Sequence, residues 1–176
     1  MKRLTSMLVA GALAAATVVA TAGAASAGPT PTHRITCSGG TLTSIFVQQG
    51  TTQFFPGVPN KFQSGSAVIL KATANGTSTW CFFQIPSGVN AGQWTIATLN
   101  GGLAMTSGSA VPGRNVTVTT NNAFASQRWN LVINFPTVTI QNVKTGLFLR
   151  VRNSGPALGQ TVTTGNMATV WTFGIA

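Results

Sequence analysis

Short stretches in which apolar and polar residues alternate run through the chain from about residue 37 to its end. They are rich in Thr, Val and Ile, and Gly, Asn and Pro separate them, which is the pattern of half-buried β-strands joined by turns. Asn100-Gly101-Gly102 and Lys144-Thr145-Gly146 have the composition of hairpin turns. The pattern contains no amphipathic helix of ordinary length, so it predicts an all-β domain.

The second half of this pattern repeats with a period of 44 residues. Residues 95–122 match residues 139–166 without a gap, and the match places Val118 opposite Val162. Each repeat ends in a tryptophan that is followed two positions later by an apolar residue, and a third, more divergent copy precedes them. The three tryptophans are Trp80, Trp129 and Trp171. The units predicted in this way span about residues 37–85, 92–133 and 136–175.

Three units of this length favour one particular closed architecture. Repeats of 40 to 50 residues also occur in β-propellers, but propellers typically need four or more blades. Three four-stranded units around a threefold pseudo-axis make a β-trefoil, which fits both the count and the length of residues 37–176. The sequence therefore predicts a β-trefoil of three pseudo-repeats, with Trp80, Trp129 and Trp171 in its core.

The first 27 residues have the features of a secretion signal. Lys2 and Arg3 precede an apolar, Ala-rich run, and Ala25-Ser26-Ala27 supplies small residues for cleavage. Residues 28–36 are expected to form a flexible segment before the domain. No later segment is apolar enough to span a membrane. We expect a secreted, extracellular protein that is a monomer.

Two cysteines and one histidine are present in the whole chain. In an exported protein Cys37 and Cys81 are expected to form a disulfide, which stabilises by roughly 4 kcal/mol on the loop-entropy model. A catalytic thiol is the less favoured alternative, because His33 lies in the segment before the domain. We therefore assign a structural role to both cysteines.

Composition excludes most enzyme mechanisms. The 176 residues contain no Asp or Glu and ten Lys or Arg, for a net charge of +10. Without side-chain carboxylates the chain lacks the usual general acids, nucleophiles and oxygen ligands for metals, so we expect no catalysis, metal site or cofactor. The cations form no run or stripe, which argues against specific nucleic-acid binding. A binding protein is the expected class.

Two motifs resemble the ricin B-type lectin family. Residues 146–151, Gly-Leu-Phe-Leu-Arg-Val, follow Thr139-Ile140-Gln141-Asn142 as in the strand pair of that family, and Gln127-Arg128-Trp129 carries its Q-x-W motif. The resemblance implies a β-trefoil and lectin-like recognition of an extracellular glycan. It places the family's sugar-binding aspartate on Thr106 and Arg150. Of the Asn-Gln pair that also holds sugar in that family, it retains Gln127, which is therefore a candidate ligand-binding residue. The usual galactose-type pocket is therefore expected to be absent.

A second resemblance leaves an alternative open. Gly92-Gln93-Trp94-Thr95-Ile96 and Trp129-Asn130-Leu131 are similar to the motifs of mushroom-type β-trefoil protease inhibitors. This resemblance implies a secreted protease as partner. Inhibition needs only a rigid exposed loop, so the missing carboxylates do not oppose it.

Alternation in the third unit predicts a basic surface row. Leu147, Leu149 and Val151 share one face of a strand, which leaves Phe148, Arg150 and Arg152 on the other. Arginine binds oxyanions bidentately, so this row suits an anionic glycan or another anionic polymer. The alternative is a solvated strand face that opposes edge-to-edge aggregation.

Phe54 and Phe55, which precede Pro56, form a second candidate site. Adjacent rings on an extended segment point to opposite sides, so one hypothesis is that at least one ring lies exposed in the long loop of the first unit, as a sugar-stacking platform or an inhibitor prong. The favoured alternative is one core anchor with a partly covered neighbour.

Overall fold

The structure is a computed structural model that describes Cys37 and residues 39–99, 102–152 and 155–174. The predicted secretion signal (1–27), the segment 28–36 and the first two residues of the predicted turn at Asn100 lie outside the described residues. No helix in the part that the structure describes is long and apolar enough to span a bilayer.

Twelve strands and one short 3-10 helix (Ala125–Gln127) make up the described domain. The first unit contains β1 (Thr41–Gln49), β2 (Thr52–Gly57), β3 (Ile69–Lys71) and β4 (Trp80–Gln84). The second contains β5 (Trp94–Ala97), β6 (Leu103–Thr106), β7 (Thr117–Thr120) and β8 (Arg128–Asn134). The third contains β9 (Thr137–Asn142), β10 (Phe148–Arg150), β11 (Thr163–Gly165) and β12 (Trp171–Gly174).

Six of these strands close into an antiparallel barrel. β1 pairs with β4, β4 with β5, β5 with β8, β8 with β9, β9 with β12, and β12 again with β1. The other six form three hairpins, β2–β3, β6–β7 and β10–β11, one in each unit. Closure removes the exposed edges that an open sheet would leave. This arrangement is a β-trefoil, which confirms the predicted fold class.

The three hairpins meet in a closed ring of backbone hydrogen bonds. The N–H of Val68 donates to the carbonyl of Val116 at 2.9 Å, Val116 donates to Val162 at 2.9 Å, and Val162 donates to Val68 at 2.8 Å. All three valines are completely buried. Each unit therefore gives one bond to the next and accepts one from the previous unit, which fixes the pseudo-threefold axis at the hairpin end.

This ring corrects the alignment of the second and third units. The gap-free match placed Val118 opposite Val162, but in the structure Val116 is the equivalent of Val162. The connection before this point is two residues longer in the third unit. A shift of two residues leaves the inward and outward alternation of a strand unchanged, so the hydrophobic pattern fits both alignments.

The three repeated tryptophans lie in the core with no solvent exposure. Ile45, Ile96 and Ile140, one from the first strand of each unit, are also completely buried. Cys37 and Cys81 form a disulfide, with their Cα atoms 5.8 Å apart, as the sequence predicts. The bond ties the start of the first unit to β4.

Candidate ligand-binding site

Alternation along β10 places its side chains as the sequence predicts. Leu147 and Leu149 are buried, whereas Phe148 and Arg150 are partly exposed. Arg152 lies just after the strand and is exposed. One side of β10 therefore contributes to the core, and the other presents an aromatic ring and a guanidinium group to solvent.

Arg150 is held along the surface by its neighbours. Its Nε donates to the carbonyl of Val151 at 3.1 Å. Its aliphatic stem lies over Gly165 of the next strand, where a Cβ would fall 2.5 Å from the Cδ of Arg150. Glycine at 165 thus leaves the space that the arginine stem fills, which limits the directions in which the guanidinium can point.

Two adjoining cavities, of about 490 and 550 Å³, lie beside Arg150. Both are lined by Gly113 and Arg152. Arg150 and Thr163 line the first, and Arg114 lines the second. Three arginines from two units therefore line two cavities that share Gly113 and Arg152, and we call the pair the arginine cleft (Arg114, Arg150 and Arg152).

Backbone hydrogen bonds between the second and third units bring Arg114 into the arginine cleft. The N–H of Gly113 donates to the carbonyl of Thr164 at 2.7 Å, and the N–H of Thr164 donates to the carbonyl of Arg114 at 3.1 Å. Thr163 of the same strand lies opposite Arg150. Sequence reasoning did not select Arg114, because it lies 36 positions from Arg150 and only the contact between hairpins makes them neighbours.

The charged side chains of the arginine cleft are all positive. Each guanidinium carries five N–H donors and no acceptor, and the chain has no side-chain carboxylate to pair with any of them. An external oxyanion can therefore both accept these hydrogen bonds and reduce the repulsion between the cations. Among the described residues, no group of three or more His, Cys, Asp or Glu could hold a metal ion.

Gln127, a predicted ligand-binding residue, has a structural role instead. Its side chain is 1% exposed. Oε1 accepts from the backbone N–H of Asn122 at 2.9 Å, and Nε2 donates to the Oγ1 of Thr119 at 3.0 Å and to the carbonyl of Thr120 at 2.6 Å. Because both ends of the amide are satisfied internally, the earlier assignment of Gln127 to ligand binding is corrected.

The position of the lectin-family aspartate carries no carboxylate in any of the three units. It follows the residue whose carbonyl accepts from the repeated tryptophan, which makes it Gly57, Thr106 or Arg150. Thr106 Oγ1 lies 2.7 Å from the Oγ1 of Thr119, within hydrogen-bonding distance. A Cβ on Gly57 would lie 2.5 Å from the carbonyl of Thr77. At Gly57 a side chain would therefore clash with its surroundings, and at Thr106 the hydroxyl is already engaged within the protein.

Phe54 and Phe55 are both buried, each 8% exposed. They lie on β2, which pairs with β1 on one side and β3 on the other. Phe54 belongs to the main core, and Phe55 packs against Phe46 with ring centroids 5.6 Å apart. The hypothesis of an exposed ring in a loop is wrong, because the segment is a central strand of the first unit, and the favoured alternative holds for Phe54 as core anchor, with Phe55 more fully covered than expected.

Comparison with known families and structures agrees with the β-trefoil fold described above. Residues 77–165, half of the chain, match the model of the ricin-type beta-trefoil lectin domain-like family. The protein therefore belongs to the ricin-type beta-trefoil lectin domain-like family. Among curated proteins, no sequence matches the chain.

Solved structures with the same fold include a designed protein and two natural lectins. The designed threefold-symmetric protein ThreeFoil shares 17% identity at a TM-score of 0.64, over 77% of this chain and 99% of that chain. The Polyporus squamosus lectin shares 20% identity at a TM-score of 0.58, over 77% and 49% of the two chains. The agglutinin of Abrus precatorius shares 22% identity at a TM-score of 0.56, over 77% and 48%. This chain thus spans about half the length of either lectin.

Proposed function

We propose that this protein is a secreted, non-enzymatic carbohydrate-binding protein that uses the arginine cleft to bind the anionic groups of an extracellular glycan. Family membership supports the carbohydrate part of the proposal, and the likeness to two lectins is consistent with it. The composition supports the absence of catalysis, because no side-chain carboxylate is present. The secretion signal predicted at residues 1–27 supports an extracellular location.

The observation that carries the proposal is the set of three arginines around two adjoining cavities. These arginines come together in a chain that contains no Asp or Glu side chain, so the cleft is lined by positive charge. Arginine and an oxyanion can form two parallel hydrogen bonds, so the cleft selects planar or tetrahedral anions such as uronates, sulfates and phosphates. The proposed ligand is therefore a glycan that carries such groups.

The family's own sugar position explains why charge would dominate recognition here. Thr106 is paired with Thr119, and a side chain at Gly57 would clash with Thr77 and Ser78, so neither position offers a carboxylate to sugar hydroxyls. A neutral galactose-type ligand lacks a partner at these positions. We therefore expect neutral glycans to bind much more weakly than sulfated or uronic ones.

The decisive experiment is a glycan array that contains matched neutral, carboxylated and sulfated sugars, probed at about 50 and 500 mM salt. We expect Arg114→Ala with Arg152→Ala to weaken binding to anionic glycans at least tenfold, because both side chains are exposed at the cleft. Lys61→Ala with Lys144→Ala is the matched control, since it removes the same charge from two exposed positions outside the cleft lining. Equal losses in the two double variants would contradict a localised site.

Protease inhibition stays a prediction from the second sequence resemblance. The same protein preparation tested against a panel of secreted proteases addresses it directly. Mass spectrometry of the exported protein tests secretion, with a mature chain that starts near Gly28 as the expected result.

A further inference from the structure

A third cavity, of about 280 Å³, lies at the end of the barrel where β8 turns into β9. The residues two positions after each repeated tryptophan, Phe82, Leu131 and Phe173, all line it. Because these three residues occupy equivalent places in the three units, the cavity lies near the pseudo-threefold axis. We call it the barrel mouth.

A difference between units explains why this space is open. Thr43, Trp94 and Val138 are equivalent, since they lie opposite Trp80, Trp129 and Trp171 in the barrel. Thr43 and Trp94 both line the cavity. The first unit thus presents a small threonine at the place where the second unit presents a tryptophan, and the missing side-chain volume is left as a cavity.

The chemistry of the lining is almost entirely apolar. Six of its eight residues are aromatic or aliphatic, and the two others are threonines. The Oγ1 of Thr43 already donates to the carbonyls of Ser44 and Gly174, at 3.0 and 2.9 Å. A water molecule needs two to four polar partners to be well held, and this lining offers few of them. An apolar group is therefore a better occupant than water or a polar ligand.

The rim of the barrel mouth is exposed. Phe135 is 84% exposed and Ile133 is 46% exposed. Even if both were fully covered, they would contribute on the order of 300 Å², whereas a standard interface buries about 800 Å² on each partner. These two side chains supply less than half of that area, so the apolar rim by itself suits a small molecule that enters between the rings better than a stable dimer.

We propose that the barrel mouth binds an uncharged apolar group, such as an aromatic ring or a short alkyl chain, of a small molecule. The site is separate from the arginine cleft, whose lining residues it does not share. Its lining carries no charged side chain, which complements a neutral ligand in the same way as the arginine cleft complements an anion.

The test uses p-xylene and 1-hexanol as neutral probes and inositol as a polar comparator. Trp94 is partly exposed, whereas the other three tryptophans are fully buried, so its fluorescence should report occupancy. We expect saturable changes with p-xylene and 1-hexanol, with dissociation constants on the order of 1 mM, and none with inositol. Chemical-shift changes in an NMR titration should map to residues of the barrel mouth.

Thr43→Leu fills the cavity and should weaken probe binding at least tenfold, whereas Thr43→Ser preserves the space and should bind as the wild type does. Phe135→Ala removes an exposed ring and should weaken binding severalfold; it decides the question if Thr43→Leu does not fold. Unchanged binding in Thr43→Leu and Phe135→Ala, or shifts that map elsewhere, would overturn the proposal. Concentration-dependent dimerisation that Phe135→Ala abolishes would also overturn it, because the occupant would then be a second copy.

Discussion

Trp129 donates a hydrogen bond from its indole Nε1 to the carbonyl oxygen of Met105 at 3.1 Å. Trp80 makes the equivalent bond to Pro56 at 2.9 Å, and Trp171 makes it to Leu149 at 3.2 Å. Each bond joins the last barrel strand of a unit to the first strand of its hairpin. The tryptophans therefore hold barrel and hairpins together, in addition to filling the core.

Trp129→Phe tests this relationship. The substitution leaves the carbonyl of Met105 without its donor and opens a small cavity, so the free energy of unfolding should fall by about 2 to 4 kcal/mol. Trp94→Phe is the matched control and should cost less than about 1 kcal/mol, because Trp94 is partly exposed at the barrel mouth. Chemical denaturation at equilibrium measures both. Equal losses would show that neither the burial nor the hydrogen bond of Trp129 adds to its contribution.

Gln127→Leu should destabilise the second unit without a direct effect on the arginine cleft. Leucine preserves most of the volume but leaves the N–H of Asn122 and the carbonyl of Thr120 without their partner. We expect a loss of about 3 kcal/mol in the free energy of unfolding. Gln53→Leu, at an exposed position of β2, should change it by less than about 0.5 kcal/mol. If glycan binding disappeared in a folded Gln127→Leu protein, Gln127 would have to be returned to the ligand site.

The disulfide should raise the thermal stability of the oxidised protein. Cys37 and Cys81 are separated by 44 residues, so the loop-entropy model gives roughly 4 kcal/mol. The double substitution Cys37→Ser with Cys81→Ser should lower the melting temperature, and a reducing agent should lower that of the wild type to a similar value. A reducing agent should not change the melting temperature of the double variant, which serves as the control.

Gly165→Ala separates the geometry of the arginine cleft from its charge. The new Cβ would meet the stem of Arg150, with Cδ at 2.5 Å and Nη1 at 2.8 Å, so the arginine must move while the net charge stays the same. We expect anionic-glycan binding to weaken severalfold in a surface plasmon resonance titration. Gly76→Ala is the control, because a Cβ there meets nothing within 4 Å. Unchanged binding in Gly165→Ala would show that diffuse positive charge is sufficient.

The periodicity of the sequence predicted the number of units and the buried and exposed sides of β10. Three spaced tryptophans implied three units, and alternation correctly separated Leu149 from Arg150 on β10. The same reasoning could not detect the two-residue offset between Val118 and Val116, because both registers have the same alternation. Local patterns also cannot predict contacts between units, and these contacts place Arg114 in the arginine cleft.

Burial of Phe54 and Phe55 shows a second limit. A Phe-Phe-Pro segment has the composition of an exposed loop as much as of a strand, and proline is rare in central strands. Pairing with β1 and β3 decides the outcome. The hairpin with β1 is local, since Gly50 and Thr51 alone separate Gln49 from Thr52, but the composition of the Phe-Phe-Pro segment by itself does not reveal that pairing.

The hydrogen-bond ring of Val68, Val116 and Val162 also limits how the chain could be separated into individual units. Each unit uses one surface to donate and a different surface to accept, which is a head-to-tail contact that closes after three steps. Three separate copies of a single unit could close the same ring of hydrogen bonds if they assembled as a cyclic trimer. A chain shortened by one unit would instead leave two unmatched surfaces, so truncation should cause cooperative loss of the whole domain.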